Sequence, residues 1–115
     1  MTEPASSDPP ILIFVRDLMF STRIVEASRA AGVPFKVIRK PEALPAEAGR
    51  FLIVDLNQEG AMDAAVAWKN ASGGRAIGFV SHVDTEVIDR AKLAGVDRIL
   101  SRGQFTQVLP NLVRE

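Results

Sequence analysis

Two aspartates, Asp17 and Asp55, each follow a continuously apolar segment of the chain, residues 11–15 and 51–54. Such β-branched, apolar segments are typical of parallel strands covered on both faces. Because the carboxyl ends of parallel strands meet at one edge of the sheet, we expect both carboxylates at the same rim. Carboxylates there can hold a hard cation such as Mg²⁺, and one of them can accept a phosphoryl group. The purely structural alternative is that both aspartates are turn or cap residues.

Two arginines also stand at predicted strand ends. Arg16 precedes Asp17, and Arg102 follows the last predicted strand. Arg16 could form a bidentate salt bridge with Asp55 and so place a permanent cation where a metal would bind. Alternatively, it could point outward and pair with a surface acid. In the first case its charge would oppose a dication at the rim.

Other side chains favour structural roles. His82 is predicted to be a loop or helix-start residue, because no serine and acid pair can be deduced around it. Trp68 lies in an apolar helical pattern and is expected in the core. The Gly73-Gly74 pair lacks the spacing of a phosphate-binding loop, which counts against nucleotide binding.

The elements that would position these residues alternate in type. Strands are predicted at 11–15, 33–38, 51–54, 76–80 and 97–100. Helices are predicted after Ser21 or Thr22 as far as Gly32, over 60–70, over 85–94 behind the cap Asp84, and after Thr106, with a short irregular helix within 40–49. Alternating strands and helices predict a three-layer α/β fold, a parallel sheet with helices on both faces.

Composition sets the broad class. The chain has 115 residues, of which 47% are hydrophobic and 24% charged, which is ordinary for one globular domain. Fourteen basic residues balance fourteen acidic ones, so the overall charge favours neither nucleic acid nor an anionic membrane. No apolar run reaches the length of a membrane span. Without cysteine there is no disulfide, thiolate metal site or cysteine nucleophile, which suits the cytoplasm. We expect residues 1–10 to be a disordered leader and residues 11–115 to form a single domain.

The order and spacing of several short motifs carry a family resemblance. They are Val15-Arg16-Asp17, Asp55-Leu56-Asn57, the segment 81–88 beginning at Ser81, Ala94-Gly95-Val96-Asp97, and the segment 99–106 around Arg102. Together they resemble response-regulator receiver domains of the chemotaxis-receiver type, over nearly the whole chain. The resemblance implies a flavodoxin-like fold with five parallel strands in the order 2-1-3-4-5.

The same resemblance implies roles for the rim. Asp55 would be the phosphoacceptor, while Asp17, Asp55 and the Asn57 carbonyl would hold Mg²⁺. Ser81 and Arg102 would contact the phosphoryl group.

Four positions depart from the family's pattern. Arg16 replaces an acid, Arg102 a lysine and Gly103 a proline, and Ile99 occupies the aromatic switch position. These departures favour a pseudo-receiver.

The resulting expectation is a stand-alone signalling domain rather than an enzyme. It would act on a protein partner, a histidine kinase or downstream regulator of a two-component phosphorelay, with altered or lost phosphorylation at Asp55. Homodimerisation is expected through residues 85–115. Two alternatives remain open: a conventional Mg²⁺-dependent phosphoaccepting regulator, and a small-molecule-binding or catalytic flavodoxin-like domain.

Overall fold

The fold is built on one five-stranded parallel sheet with the order β2-β1-β3-β4-β5. A computed structural model describes residues 8–80 and 84–115. The five strands are β1 (Ile11–Phe14), β2 (Phe35–Val37), β3 (Phe51–Asp55), β4 (Ala76–Val80) and β5 (Arg98–Ser101). This confirms the predicted flavodoxin-like fold and strand order. Seven residues of the expected leader, 1–7, lie outside the described part of the chain.

Helices connect the strands as the alternation predicts. They are α1 (Leu18–Ala31), α2 (Ala61–Ser72), α3 (Thr85–Leu93) and α4 (Arg102–Leu112), with a short 3-10 helix at Pro41–Ala46 before β3. The 3-10 helix carries Pro45 inside it, in agreement with the irregular helix expected there. Asp84 caps α3 as predicted, because its carboxylate accepts hydrogen bonds from the amides of Glu86 and Val87.

Two helices begin earlier than the sequence predicts, and both corrections concern the rim. The cap of α1 is Asp17 rather than Ser21 or Thr22, and Ser21 is buried. The cap of α4 is Ser101 rather than Thr106: its hydroxyl accepts from the Gln104 amide, while the Gln104 side chain accepts from the Ser101 amide. Apolar periodicity marks a helix interior, whereas the start depends on which polar side chain reaches the first free amides.

Each face of the sheet is covered by its own hydrophobic cluster. On one face, α1 and α4 pack on β1, β3 and β4 through residues that include Ile24, Phe105 and Leu109. On the other face, α2, α3 and the 3-10 helix pack on the sheet through residues that include Leu44 and Trp68. Trp68 is fully buried, and its indole N–H donates to the Glu47 carbonyl at 2.9 Å, which confirms its predicted place in the core. The carboxyl ends of the strands are left as the open rim.

No helix within the described ranges combines the length and apolar character needed to cross a bilayer.

Candidate functional site

Asp17 stands where β1 gives way to α1, and both of its carboxylate oxygens are engaged. Oδ1 accepts a hydrogen bond from the Phe20 amide at 3.1 Å, which caps the helix. Oδ2 accepts a hydrogen bond from Nη2 of Arg102 at 2.7 Å. The Phe20 amide and the Arg102 guanidinium hold the pKa of Asp17 below its ordinary value, against the opposing effect of desolvation. Asp17 is therefore an ionised cap residue that already has a cationic partner.

Arg102 is the first residue of α4 and is held from two sides. Its guanidinium carbon lies 4.2 Å from the centroid of the Phe20 ring, a cation–π contact, while Nη2 binds Asp17. Phe20 in turn packs on Phe79 and Phe105, with ring centroids 5.0 and 6.0 Å away. The Arg102 Nε atom is buried and has no hydrogen-bond partner among the described residues. The guanidinium is therefore oriented by packing, and its buried Nε is a donor that no described residue uses.

Asp55 ends β3 and is half-buried. Its Oδ1 accepts a hydrogen bond from the Asn57 amide at 3.0 Å, an Asx-type turn that leads the chain away from the sheet. Burial raises the pKa of Asp55 above its ordinary value, and the nearby Asp17 charge acts in the same direction. The Asn57 amide and the Arg102 charge oppose this rise. The structure thus brings Asp17, Asp55 and Arg102 into one electrostatic group.

Among the described residues, Arg16 does not contact Asp55 but points outward, as the second alternative allowed, although without the surface acid expected there. Its side chain is exposed, and within the described part of the chain its guanidinium forms no ion pair with Asp55 or with any surface acid. The Arg16 backbone amide, by contrast, donates to Gln58 Oε1 at 2.7 Å. The arginine that neutralises a rim carboxylate is Arg102, and the carboxylate it neutralises is that of Asp17.

The donor set does not fit a divalent cation on Asp17 in this arrangement. One Asp17 oxygen faces an amide and the other a guanidinium, and a dication there would meet the Arg102 charge at close range. Within residues 8–80 and 84–115, no group of three acidic or histidine side chains gathers as metal ligands. The Mg²⁺ site implied for Asp17, Asp55 and Asn57 therefore requires Arg102 to move away first.

One predicted site residue, Ser81, which was expected to contact a phosphoryl group, lies outside the described residues. His82, predicted to be a loop or helix-start residue, also lies outside them. The strand that leads to them, β4, is described to its end at Val80.

Sequence reasoning missed two contributors to the rim, Gln58 and Phe20. Gln58 contacts the backbone of β1 through its side chain, and Phe20 supplies the ring on which Arg102 lies. Neither contact has a local sequence signal, because the partners are 42 and 82 positions away along the chain. The one available hint for Phe20 was a large apolar residue close to an acid at a helix start.

Comparison with known proteins supports the fold. No family model and no curated protein sequence matches the chain. Solved structures do match. A Burkholderia pseudomallei response regulator with a phosphorylated aspartic acid, a calcium ion and citrate is 19% identical, with a TM-score of 0.74; the match covers 89% of this chain and 64% of that one.

Two further matches are close to full length. A CheY-like receiver domain protein from Methanospirillum hungatei is 16% identical over 94% of this chain and 92% of its own, with a TM-score of 0.77. A response regulator from Thermotoga maritima is 15% identical over 93% of this chain and 95% of its own, with a TM-score of 0.74. At these identities the likeness shows the fold, which is that of response-regulator receiver domains.

Proposed function

We propose that the chain is a receiver-like signalling domain of the two-component type, in which phosphorylation at Asp55 is altered or lost. It would act by binding a protein partner, either a histidine kinase or a downstream regulator. The fold and the position of Asp55 at the end of β3 support the receiver-like role. The ion pair between Arg102 and Asp17 is the observation that supports altered phosphorylation.

That ion pair bears on phosphorylation through charge. Phosphoryl transfer from an acyl phosphate would form a bond between an Asp55 oxygen and phosphorus, while the acyl carboxylate leaves with the electrons of the broken bond. The incoming phosphoryl oxygens are anionic and would meet the Asp17 carboxylate as well as Asp55 itself. Arg102 brings only a single positive charge to these anions, and its Nη2 atom is hydrogen-bonded to Asp17. Asp55 is accordingly a slow phosphoacceptor in this proposal.

A conventional phosphoaccepting receiver is the second candidate, and one observation favours it. Asp55 has the Asn57 amide on Oδ1, and the buried Nε of Arg102 has no hydrogen-bond partner among the described residues. A guanidinium that turned from Asp17 toward Asp55 could offer that donor to a phosphoryl oxygen. In this case Asp17 would be released, and its carboxylate could then bind Mg²⁺.

Labelling with a small acyl phosphate, with and without Mg²⁺, separates the two candidates. We would compare the wild type, Arg16→Asp, and the double variant Arg16→Asp with Asp55→Asn. The wild type is expected to label poorly. Arg16→Asp removes a cation from the rim and adds a carboxylate next to Asp17 that is not the one Arg102 binds, so labelling and Mg²⁺ affinity should both rise even with the Arg102–Asp17 pair in place, and the gain in labelling should vanish with Asp55→Asn. Strong Mg²⁺-dependent labelling of wild-type Asp55 would replace the first candidate with the conventional receiver.

A further inference from the structure

The side chain of Gln58, in the loop after β3, forms hydrogen bonds with the backbone at the end of β1. The Gln58 Oε1 atom accepts a hydrogen bond from the Arg16 amide at 2.7 Å, and Nε2 lies 3.5 Å from the Phe14 carbonyl oxygen. The amide orientation follows from chemistry, because an N–H at 2.7 Å requires an oxygen opposite it. The shorter of these two contacts is the stronger one.

This side chain stands where the strand ladder stops. β1 and β3 are paired as far as Phe14 and Val54. Beyond that rung, β3 continues along β4, as shown by the Leu56 amide on the Phe79 carbonyl at 2.9 Å. The Gln58 amide offers β1 an acceptor and a donor, as the next residue of a neighbouring strand would. It thus extends the pairing of β1 with side-chain atoms.

Gln58 also belongs to the turn that carries Asp55. Its backbone amide lies 3.3 Å from the Asp55 carbonyl oxygen, and the Asn57 amide donates to Asp55 Oδ1 at 3.0 Å. At the other end, the Arg16 peptide leads directly into Asp17, the cap of α1. One side chain therefore joins the loop of Asp55 to the loop of Asp17.

We propose that Gln58 is a positioning residue that holds these two loops in register and transmits a change of charge at Asp55 to the first turn of α1. That turn exposes two large apolar side chains, Leu18 at 72% and Met19 at 66%. A change at Asp55 would thereby reach an apolar surface beside the rim. The inference concerns the same site as the proposed function, but its test requires neither a phosphoryl donor nor a partner.

The first measurement is amide hydrogen exchange by NMR. Gln58→Met keeps the length of the side chain and removes both polar contacts, so exchange at Arg16 should accelerate about tenfold, the effect of losing one hydrogen bond. Gln58→Glu retains an acceptor and should keep Arg16 protected. Gln104→Met removes a chemically similar glutamine contact, the one to the Ser101 amide, and should leave Arg16 unchanged.

The second measurement tests transmission. Asp55→Asn should shift the amide signals of residues 16–20 in the wild-type background and leave them nearly unmoved in the Gln58→Met background. If Gln58→Met does not fold, Gln58→Asn, one methylene too short to reach Arg16, replaces it in both measurements.

Two results would overturn the inference. An unchanged exchange rate of the Arg16 amide in a folded Gln58→Met or Gln58→Asn protein would show that the Gln58 side chain does not hold the end of β1 by a hydrogen bond. Equal shifts at residues 16–20 with and without Gln58 would show that the Asp55 charge acts through space. Failure of acyl-phosphate labelling would leave both readouts intact, so the proposed function and this inference can fail separately.

Discussion

Arg102 Nη2 lies 2.7 Å from Asp17 Oδ2, so the first residue of α4 neutralises the residue that caps α1. The pair joins positions 85 apart along the chain, and its Arg102 guanidinium lies over the Phe20 ring. Both helix starts meet at the same rim as Asp55. A cation supplied by the chain itself therefore stands beside the carboxylate that a receiver-type metal site would need.

Removal of this cation should free Asp17 for a divalent ion. We expect Arg102→Gln to tighten Mg²⁺ binding about tenfold relative to the wild type, because one unit of positive charge leaves the rim. Calorimetric or NMR titration with Mg²⁺ measures the dissociation constant. Arg23→Gln is the matched control, since Arg23 also lies over the Phe20 ring, at 5.8 Å, without an ion pair to Asp17. Equal Mg²⁺ affinities for Arg102→Gln and the wild type would contradict the prediction.

The half-buried Asp55 should destabilise the fold at neutral pH. Its pKa is raised by burial above the ordinary 3.8, so folding favours the protonated form and the ionised form is disfavoured. We expect Asp55→Asn to raise the free energy of unfolding at pH 7 by about 0.5–2 kcal/mol, the usual range for a single stabilising substitution. The gain arises because a neutral amide replaces a half-buried charge.

The gain from Asp55→Asn should depend on pH in one direction. It should shrink as pH falls through the raised pKa and vanish below about 3.8, where Asp55 is protonated in both folded and unfolded chains. Urea unfolding of both proteins between pH 7 and pH 3 tests this. A gain that persists undiminished at the acidic end would rule out the ionisation as its cause.

Asp97 lies at the opposite end of the sheet from Asp55. Its ionised form should stabilise the fold, whereas the ionised form of Asp55 should destabilise it. Burial raises the pKa of Asp97, but the Lys69 ammonium, the Ala76 amide and the Arg75 charge outweigh it and lower the pKa overall. The stability from the charged form is therefore present above the ordinary value of 3.8 and is lost as pH falls through the lower, folded-state pKa.

The contribution of Asp97 can be tested by measuring the free energy of unfolding at acidic pH for the wild type and Asp97→Asn. Asp97→Asn can still accept from the Ala76 amide, so it should remove mainly the ion pair with Lys69, which is partly exposed, and cost about 1 kcal/mol at pH 7. The curves of the two proteins should stay apart down to about the ordinary value of 3.8 and converge only as pH falls from there through the lower, folded-state pKa of Asp97. Parallel curves across the whole range would show that Asp97 ionisation does not contribute.

Self-association is predicted through α3, β5 and α4. This face carries a groove of about 400 Å³ lined by Ile88, Ile99 and Leu100, with Lys92 and Gln104 at its polar edge. Lys92→Glu should weaken a homodimer about tenfold by placing an acid near the acidic residues of α3. Light scattering over a concentration series measures the association, with Arg29→Glu on α1 as the control. A wild-type protein that remains monomeric at high concentration would refute the prediction.

The sequence by itself determined the layered α/β architecture. Continuous, β-branched apolar runs such as 51–54 and 76–80 predict strands buried on both faces, and β4 has the predicted bounds. Asp55 could be placed at a strand end for the same reason, because it is the first polar residue after the apolar run 51–54. The strand order came from the resemblance, since apolar runs show that a strand is buried but not which strands are neighbours.

Only the tertiary structure decided which cation meets which carboxylate. The sequence pointed to Arg16, the neighbour of Asp17, but Arg16 faces solvent, and the contact is made by Arg102 from the other end of the chain. The hydrogen bond between the Arg16 amide and Gln58 Oε1 could not be predicted from the sequence either. Periodicity reports the burial of an element relative to the core, whereas an ion pair or a side-chain clamp depends on where helices begin and on atoms that only the folded sheet brings within 3 Å.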